Sequence, residues 1–269
     1  MTAGVRVAAF GALLVAIFTI AALAGSAAGP VNSTAPEPEH GADQASHEQA
    51  GAPAGGGAAL RVVAGDTTLT PGRAQRYAFT ILDAGGRTVR DFEVEQGRRM
   101  HLIVVRRDLR RFQHLHPTQD ATGAWSTRVT LPDAGVYEAI ADFSTGGERH
   151  ALGTDLFAAG RFEPLALPAP SAFADTDGYD VSLRDDGNVL RFTVGRGGKM
   201  ITGLQPYLGA RGHLVMLRTG DLAYEHAHPI GDSLAFDVGE APPGTYRLFV
   251  QFRHADTVHT AAFTHEVAR

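Results

Sequence analysis

The chain has 269 residues, a formal net charge of −5 with 12 histidines, and no cysteine. That length holds one or two domains with sizeable cores, and the mild negative charge argues against nucleic acid as a partner. Without cysteine there are no disulfide staples, no thiol redox chemistry and no blue-copper centre, which needs a Cys ligand.

Residues 1–29 carry Arg6, then an uncharged apolar run over 7–24 with small residues at Ala24 and Ala28. This is the pattern of an export signal. The run is also just long enough to cross a bilayer as a transmembrane helix. Signal peptide and membrane anchor both stay open, and either places the bulk of the protein outside the cytoplasm, secreted or anchored to the cell membrane. Residues 30–59 are rich in Pro, Gly, Ala, Glu and Gln with almost no large apolar side chain, which predicts a disordered linker.

From Leu60 onward short apolar runs alternate with Gly, Pro and Asp turns, and no long segment has a helical period. Strands are expected at "HLIVVRR", "WSTRVTL" and "GVYEAIADF" in residues 60–164. A Pro- and Ala-rich linker follows over 165–174. Residues 175–269 offer "YDVSLR", "VLRFTVG", "HLVMLR", "SLAFDVG" and "TYRLFVQF". "GRGGK", residues 195–199, reads as a hairpin turn. The expected fold class is all-β: tandem immunoglobulin-like or cupredoxin-like sandwiches after the N-terminal segment.

The two strand-rich units are repeats. "DFEVEQGRRMHLIVVRRDLRRFQHLHP" lies over "GLQPYLGARGHLVMLRTGDLAYEHAHP" without a gap, at an offset of 112 residues. His101 falls on His213, His114 on His226, His116 on His228, and Pro117 on Pro229. At an offset of 109 residues, Gly135, Tyr137, Phe143 and His150 fall on Gly244, Tyr246, Phe252 and His259.

Strand alternation puts Phe112, His114 and His116 on one face, and Tyr224, His226 and His228 on another. The proline behind each HxH pair ends the strand. If the His101 segment pairs with the HxH strand in a hairpin, a third imidazole joins the pair. Asp142 on the "GVYEAIADF" strand adds a carboxylate. The second copy carries Gln251 at that place, with His254 close behind. His and carboxylate ligands suit Zn(II) or Cu(II). The candidate metal ligands are therefore His101, His114, His116, Asp142, His150, His213, His226, His228, His254 and His259. The alternative is a scaffold or protein-interaction module whose histidines form a hydrogen-bond network holding a turn.

Catalysis is not expected, because no phosphate loop, nucleophile elbow or HExxH helix occurs. A three-histidine site could activate water, with Glu225 or His254 as a base, but nothing positions such a base.

Residues 212–229 and 243–264 resemble a family of exported, uncharacterised bacterial proteins of high-GC Gram-positive bacteria. Its units read "GHLVALR…DLAYLHVHP…PGTYRLFLQFRH…VHTAAFT", and Met216, Glu225 and Ala227 depart from them. Residues 100–117 and 135–160 resemble a diverged copy. The likeness to cupredoxin-like, heavy-metal-associated exported domains implies copper or zinc handling: buffering of the ion, or its delivery to a membrane or exported metal-handling partner.

Overall fold

The computed structural model describes residues 60–268, so the expected leader and linker lie outside the described residues. All described residues belong to one compact unit, Gln49–Arg269. They form nineteen strands and no helix.

The first half holds β1 (Arg61–Ala64), β2 (Thr68–Leu69), β3 (Ala74–Leu82), β4 (His101–Arg106) and β5 (Gln113–Leu115). It continues with β6 (Thr118–Gln119), β7 (Trp125–Thr130), β8 (Gly135–Thr145) and β9 (Glu148–Ala158). One sheet runs β1-β3-β7-β6 and the other β2-β9-β8-β4-β5. The second half holds β10 (Phe173–Thr176), β11 (Tyr179–Asp185), β12 (Val189–Arg196), β13 (Lys199–Met200) and β14 (Gly212–Arg218). After these come β15 (Tyr224–His226), β16 (His228–Pro229), β17 (Ala235–Asp237), β18 (Gly244–His254) and β19 (Thr257–Val267). One sheet there runs β10-β11-β12-β17-β16, with β13 on β12, and the other runs β15-β14-β18-β19. All four sheets are open, and the arrangement is sandwich-like. The "GRGGK" stretch is the β12–β13 turn, with Gly197 and Gly198 at φ of 58° and 73°, as a tight hairpin requires.

Each half has its own core. Tyr77, Phe79 and Ile81 of β3 and Trp125 of β7 meet Leu102 and Val104 of β4 and Tyr137 and Phe143 of β8. In the second half, Val181 of β11 and Phe192 of β12 meet Leu214 and Met216 of β14 and Phe252 of β18. Strand β3 alternates buried and less buried residues, as a strand with one covered face does.

Strands β4 and β14 do not alternate. All six residues of β4 are buried, and so are the first six of β14. The cause is a third apolar cluster. Ile103, Val105, Leu109 and Ile140 of the first half pack with Val215, Leu217, Leu222 and Phe249 of the second. Even-numbered residues of β4 face the first core, and odd-numbered ones face the other half. Phe112 stacks on Phe249 across this contact at 4.1 Å. Leu109 and Leu222 enter it from the loops after β4 and β14 with left-handed backbones, φ 58° and 57°. That conformation is costly for a bulky residue, and burial of both side chains offsets it.

Among the described residues no helix is long and apolar enough to cross a membrane. The expectation of a transmembrane helix is corrected on that finding. Described apolar runs such as "HLIVV" are strands, whose hydrophobic side chains cover two packed faces. The run over 7–24, on which the expectation rested, lies outside the described residues.

Candidate metal centre

Strand parity builds the site. His101 shares its face with Ile103 and Val105, so it points at the other half. β4 and β5 pair antiparallel, with Ile103 opposite His114. The hairpin anticipated from sequence is therefore present, and it sets His101 beside the HxH pair. From the second half, parity sends His213 on β14 and Gln251 on β18 to the same contact, and these two are register partners.

His101, His114 and His116 each present one ring nitrogen, all within 4.8 Å of one another. His101 Nδ1 and His114 Nε2 are 2.9 Å apart. His101 Nε2 lies 3.1 Å from the Glu95 carbonyl oxygen. His114 Nδ1 lies 2.6 Å from Gln251 Oε1. The Glu95 carbonyl can only accept, and with the Gln251 oxygen toward His114 both outer nitrogens carry the protons. The inner nitrogens, His101 Nδ1 and His114 Nε2, then face each other with lone pairs. His116 Nε2 is buried and makes no hydrogen bond. The His213 ring stacks on His101 at 5.7 Å and lies 4.5 Å from His114.

The Glu95 carbonyl is presented by a tight turn. Gln96 and Gly97 take φ of 48° and 78°, and Glu95 bridges Arg98. The second copy repeats the device, with Leu208 and Gly209 at φ of 53° and 79° between Tyr207 and Ala210.

Burial lowers the pKa of all three imidazoles. The His101 pKa falls because of desolvation, partly opposed by the bond to Glu95. Desolvation pushes His114 down to about 3, against the accepting Gln251. His116 falls to about 4 through burial, and then because its protonated form would be repelled by His101 and Arg98. All three rings are neutral at neutral pH, each with one unprotonated nitrogen able to bind a metal ion.

Asp142 lies opposite His101 in the β4–β8 ladder but is otherwise engaged. Arg149 donates to its two oxygens at 2.9 and 2.5 Å, and Tyr224 of the second half donates at 2.6 Å. Asp142 is a counter-charge beside the cluster, outside the group whose ligand atoms converge. Tyr224 is raised well above its ordinary pKa by burial and by that carboxylate, so it stays a donor.

The other predicted ligands are dispersed. His150 is half-buried against the Phe143 ring at 5.4 Å. His228 is exposed on β16, opposite Asp237. His254 Nδ1 pairs with the Tyr179 hydroxyl at 2.7 Å, and His259 Nδ1 with Asp177 at 2.7 Å. The side chain of His226 lies outside what the structure describes. Among the described residues, the converging ligand set comes from the first copy, and the second contributes His213 and Gln251. Sequence reasoning missed the Glu95 carbonyl and Arg149. Backbone acceptors carry no sequence signal, and Arg149 is one of many surface-type arginines.

A family model described as a domain of unknown function (DUF8832) matches residues 57–159 and 174–269, and the chain belongs to that family. No functionally curated protein matches it. Among solved structures it is similar to the Escherichia coli adhesin FdeC at 14% identity and a TM-score of 0.27, covering 76% of this chain and 63% of that one. A putative membrane anchored protein from Corynebacterium diphtheriae gives 9% and 0.25, covering 78% of this chain and 59% of that one. Surface layer protein SbsC, domains 4–9, gives 12% and 0.21, covering 78% and 31%. The chain thus spans less than two thirds of each, and likeness this low carries no argument about activity or location.

Proposed function

We propose that this protein is a non-catalytic binder of Zn(II) or Cu(II), working outside the cytoplasm as a metal buffer or a donor to another metal-handling protein. One observation carries the reading. His101 Nδ1 and His114 Nε2 face each other at 2.9 Å, with their far sides on the Glu95 carbonyl and the Gln251 amide. With the Gln251 oxygen toward His114 neither has a proton to share, and burial keeps both rings neutral. Two acceptors in that arrangement are satisfied by a cation held by both. Ligands of a tetrahedral zinc lie about 3.3 Å apart for bonds of about 2.0–2.1 Å, so small shifts admit the ion. His116 completes a three-nitrogen set. Oriented outer hydrogen bonds are typical of metal-bound histidine.

The export-type leader supports the extracytoplasmic placement. The proposal includes an immunoglobulin- or cupredoxin-like topology for each half. It is supported by two tyrosines at equivalent places, Tyr137 donating to the Asp133 carbonyl at 3.0 Å and Tyr246 to the Pro242 carbonyl at 2.7 Å. Such a corner is a mark of Greek-key sandwiches.

The test is calorimetric titration of the metal-stripped, full-length chain with Zn(II) and Cu(II), then of His101→Ala and His116→Ala. Tight binding at a ratio of one is expected, lost in both variants. Binding no tighter than about 10 μM, roughly 7 kcal/mol, or binding indifferent to both changes, rejects the reading.

A further inference from the structure

The three converging histidines all belong to the first half, yet the group against the outer nitrogen of His114 belongs to the second. Gln251 stands on β18, nearly fully buried, and its Oε1 accepts from His114 Nδ1 at 2.6 Å. The other end of its amide, Nε2, donates to Thr260 Oγ1 at 3.2 Å on the neighbouring strand β19, a hydroxyl that can serve either sense of the amide. A run of polar groups therefore crosses the molecule: Thr260, Gln251, His114, His101 and the Glu95 carbonyl.

The direction of protons along that run fixes what the cluster can hold. With the Gln251 oxygen toward His114, the proton sits on Nδ1, and Nε2 is left as a ligand. With the amide turned over, Nε2 of Gln251 would donate to His114 Nδ1. His114 would then protonate Nε2 and donate to His101 Nδ1, closing the run with no need of a cation. The two states differ by an amide flip and a tautomer, with no other side chain moving.

We infer that Gln251 is a positioning residue which, from the second half, holds His114 in the tautomer that exposes Nε2, so that a metal site is complete only when the two halves are packed together. The inference rests on the metal-binding reading above. It adds a residue that touches no metal and a dependence on the contact between the halves. The copies also differ here in a way that suits the role. The place of Gln251 in the second half is taken in the first by Asp142, whose oxygens are held by Arg149 and Tyr224.

Two readouts test it on the full-length chain. The first is the imidazole tautomer of His114 in metal-free protein, read from long-range nitrogen–proton NMR correlations. The second is Zn(II) affinity by competition with a chelating dye. In the wild type, His114 should be protonated on Nδ1. Gln251→Leu should move the proton to Nε2 and weaken zinc about 10- to 100-fold, the usual effect of losing such an outer partner. Gln251→Glu can only accept, so it should keep the Nδ1 tautomer and hold affinity at or above wild type. A role confined to packing would have both variants weaken binding alike. Phe249→Leu serves as the control, because it loosens the apolar contact without touching the run and should leave the tautomer unchanged.

An Nε2-protonated His114 in the wild type, or unchanged tautomer and affinity in Gln251→Leu, overturns the inference while leaving metal binding standing. The predicted tautomers with no zinc uptake by the wild type would instead sink the metal reading and, with it, the site that Gln251 is said to complete.

Discussion

Single imidazoles decide how this protein responds to acid. His114 and His116 have folded pKa values of about 3 and about 4, against an ordinary value of about 6.5 when exposed. As pH falls below 6.5, the unfolded chain takes up protons that the folded chain refuses, so folded stability drops. The stability these groups contribute is complete above pH 6.5. It is lost as pH falls toward 4 for His116, and further toward 3 for His114. Thermal melts in a chelator should show the midpoint falling across that window. The double change His114→Phe with His116→Phe should flatten the fall. A midpoint that stays level from pH 6.5 to 4 in the wild type would contradict the buried, neutral assignment.

The same scale shows what the sequence made legible. The HxHP pairs and the alignment of His101 with His213 pointed to the cluster, and the short spacing from His101 to His114 pointed to the hairpin that forms it. Which histidines converge was not legible. His116 and His228 occupy equivalent places in the repeat, yet one joins the cluster and the other is exposed on β16. That outcome depends on how the strand after the HxH pair leaves the sheet, which a one-dimensional match cannot see.

At the scale of elements, β4, β14 and β18 carry the structure twice, once for a core and once for the contact between halves. Phe249 is 4% exposed and stacks on Phe112. Its truncation to alanine removes a large ring from a closed surface and should cost about 3–5 kcal/mol, measured by urea unfolding. A loss below about 1 kcal/mol would mean that the two halves are held mainly by other contacts. Gly212 is a sharper probe. A Cβ there would meet the Gln251 backbone oxygen at 2.4 Å and Leu234 Cδ1 at 2.3 Å. Backbone cannot yield as a side-chain tip can, so Gly212→Ala should destabilise by about 1–3 kcal/mol or more and disturb the strand that presents Gln251. The double burial of β4 had a trace in the sequence. "HLIVV" and "HLVML" are unbroken apolar runs, where a sandwich strand wet on one side would alternate. The trace says that a second cover exists without saying that the other repeat provides it.

The whole molecule is then a duplicated chain in which the copies have come to differ in their polar residues while keeping one packing scheme. Asp142 and Gln251 occupy one place of the repeat, and Phe112 and Tyr224 another. Each copy's residue now supports its neighbour across the contact: Tyr224 on Asp142, Gln251 on His114, Phe112 on Phe249. On the proposed reading, a site shared this way would link metal uptake to association of the halves. Zinc at 100 times its dissociation constant should stabilise the fold by about 2.7 kcal/mol.

The most direct test of the central claim is the zinc-edge anomalous signal from crystals of the zinc-loaded protein. The account predicts one strong peak bonded to His101 Nδ1, His114 Nε2 and a His116 nitrogen, with bonds of about 2.0–2.1 Å and Gln251 Oε1 still on His114 Nδ1. A cluster that stays closed on itself, with His101 and His114 hydrogen-bonded and zinc bound elsewhere or not at all, would contradict it.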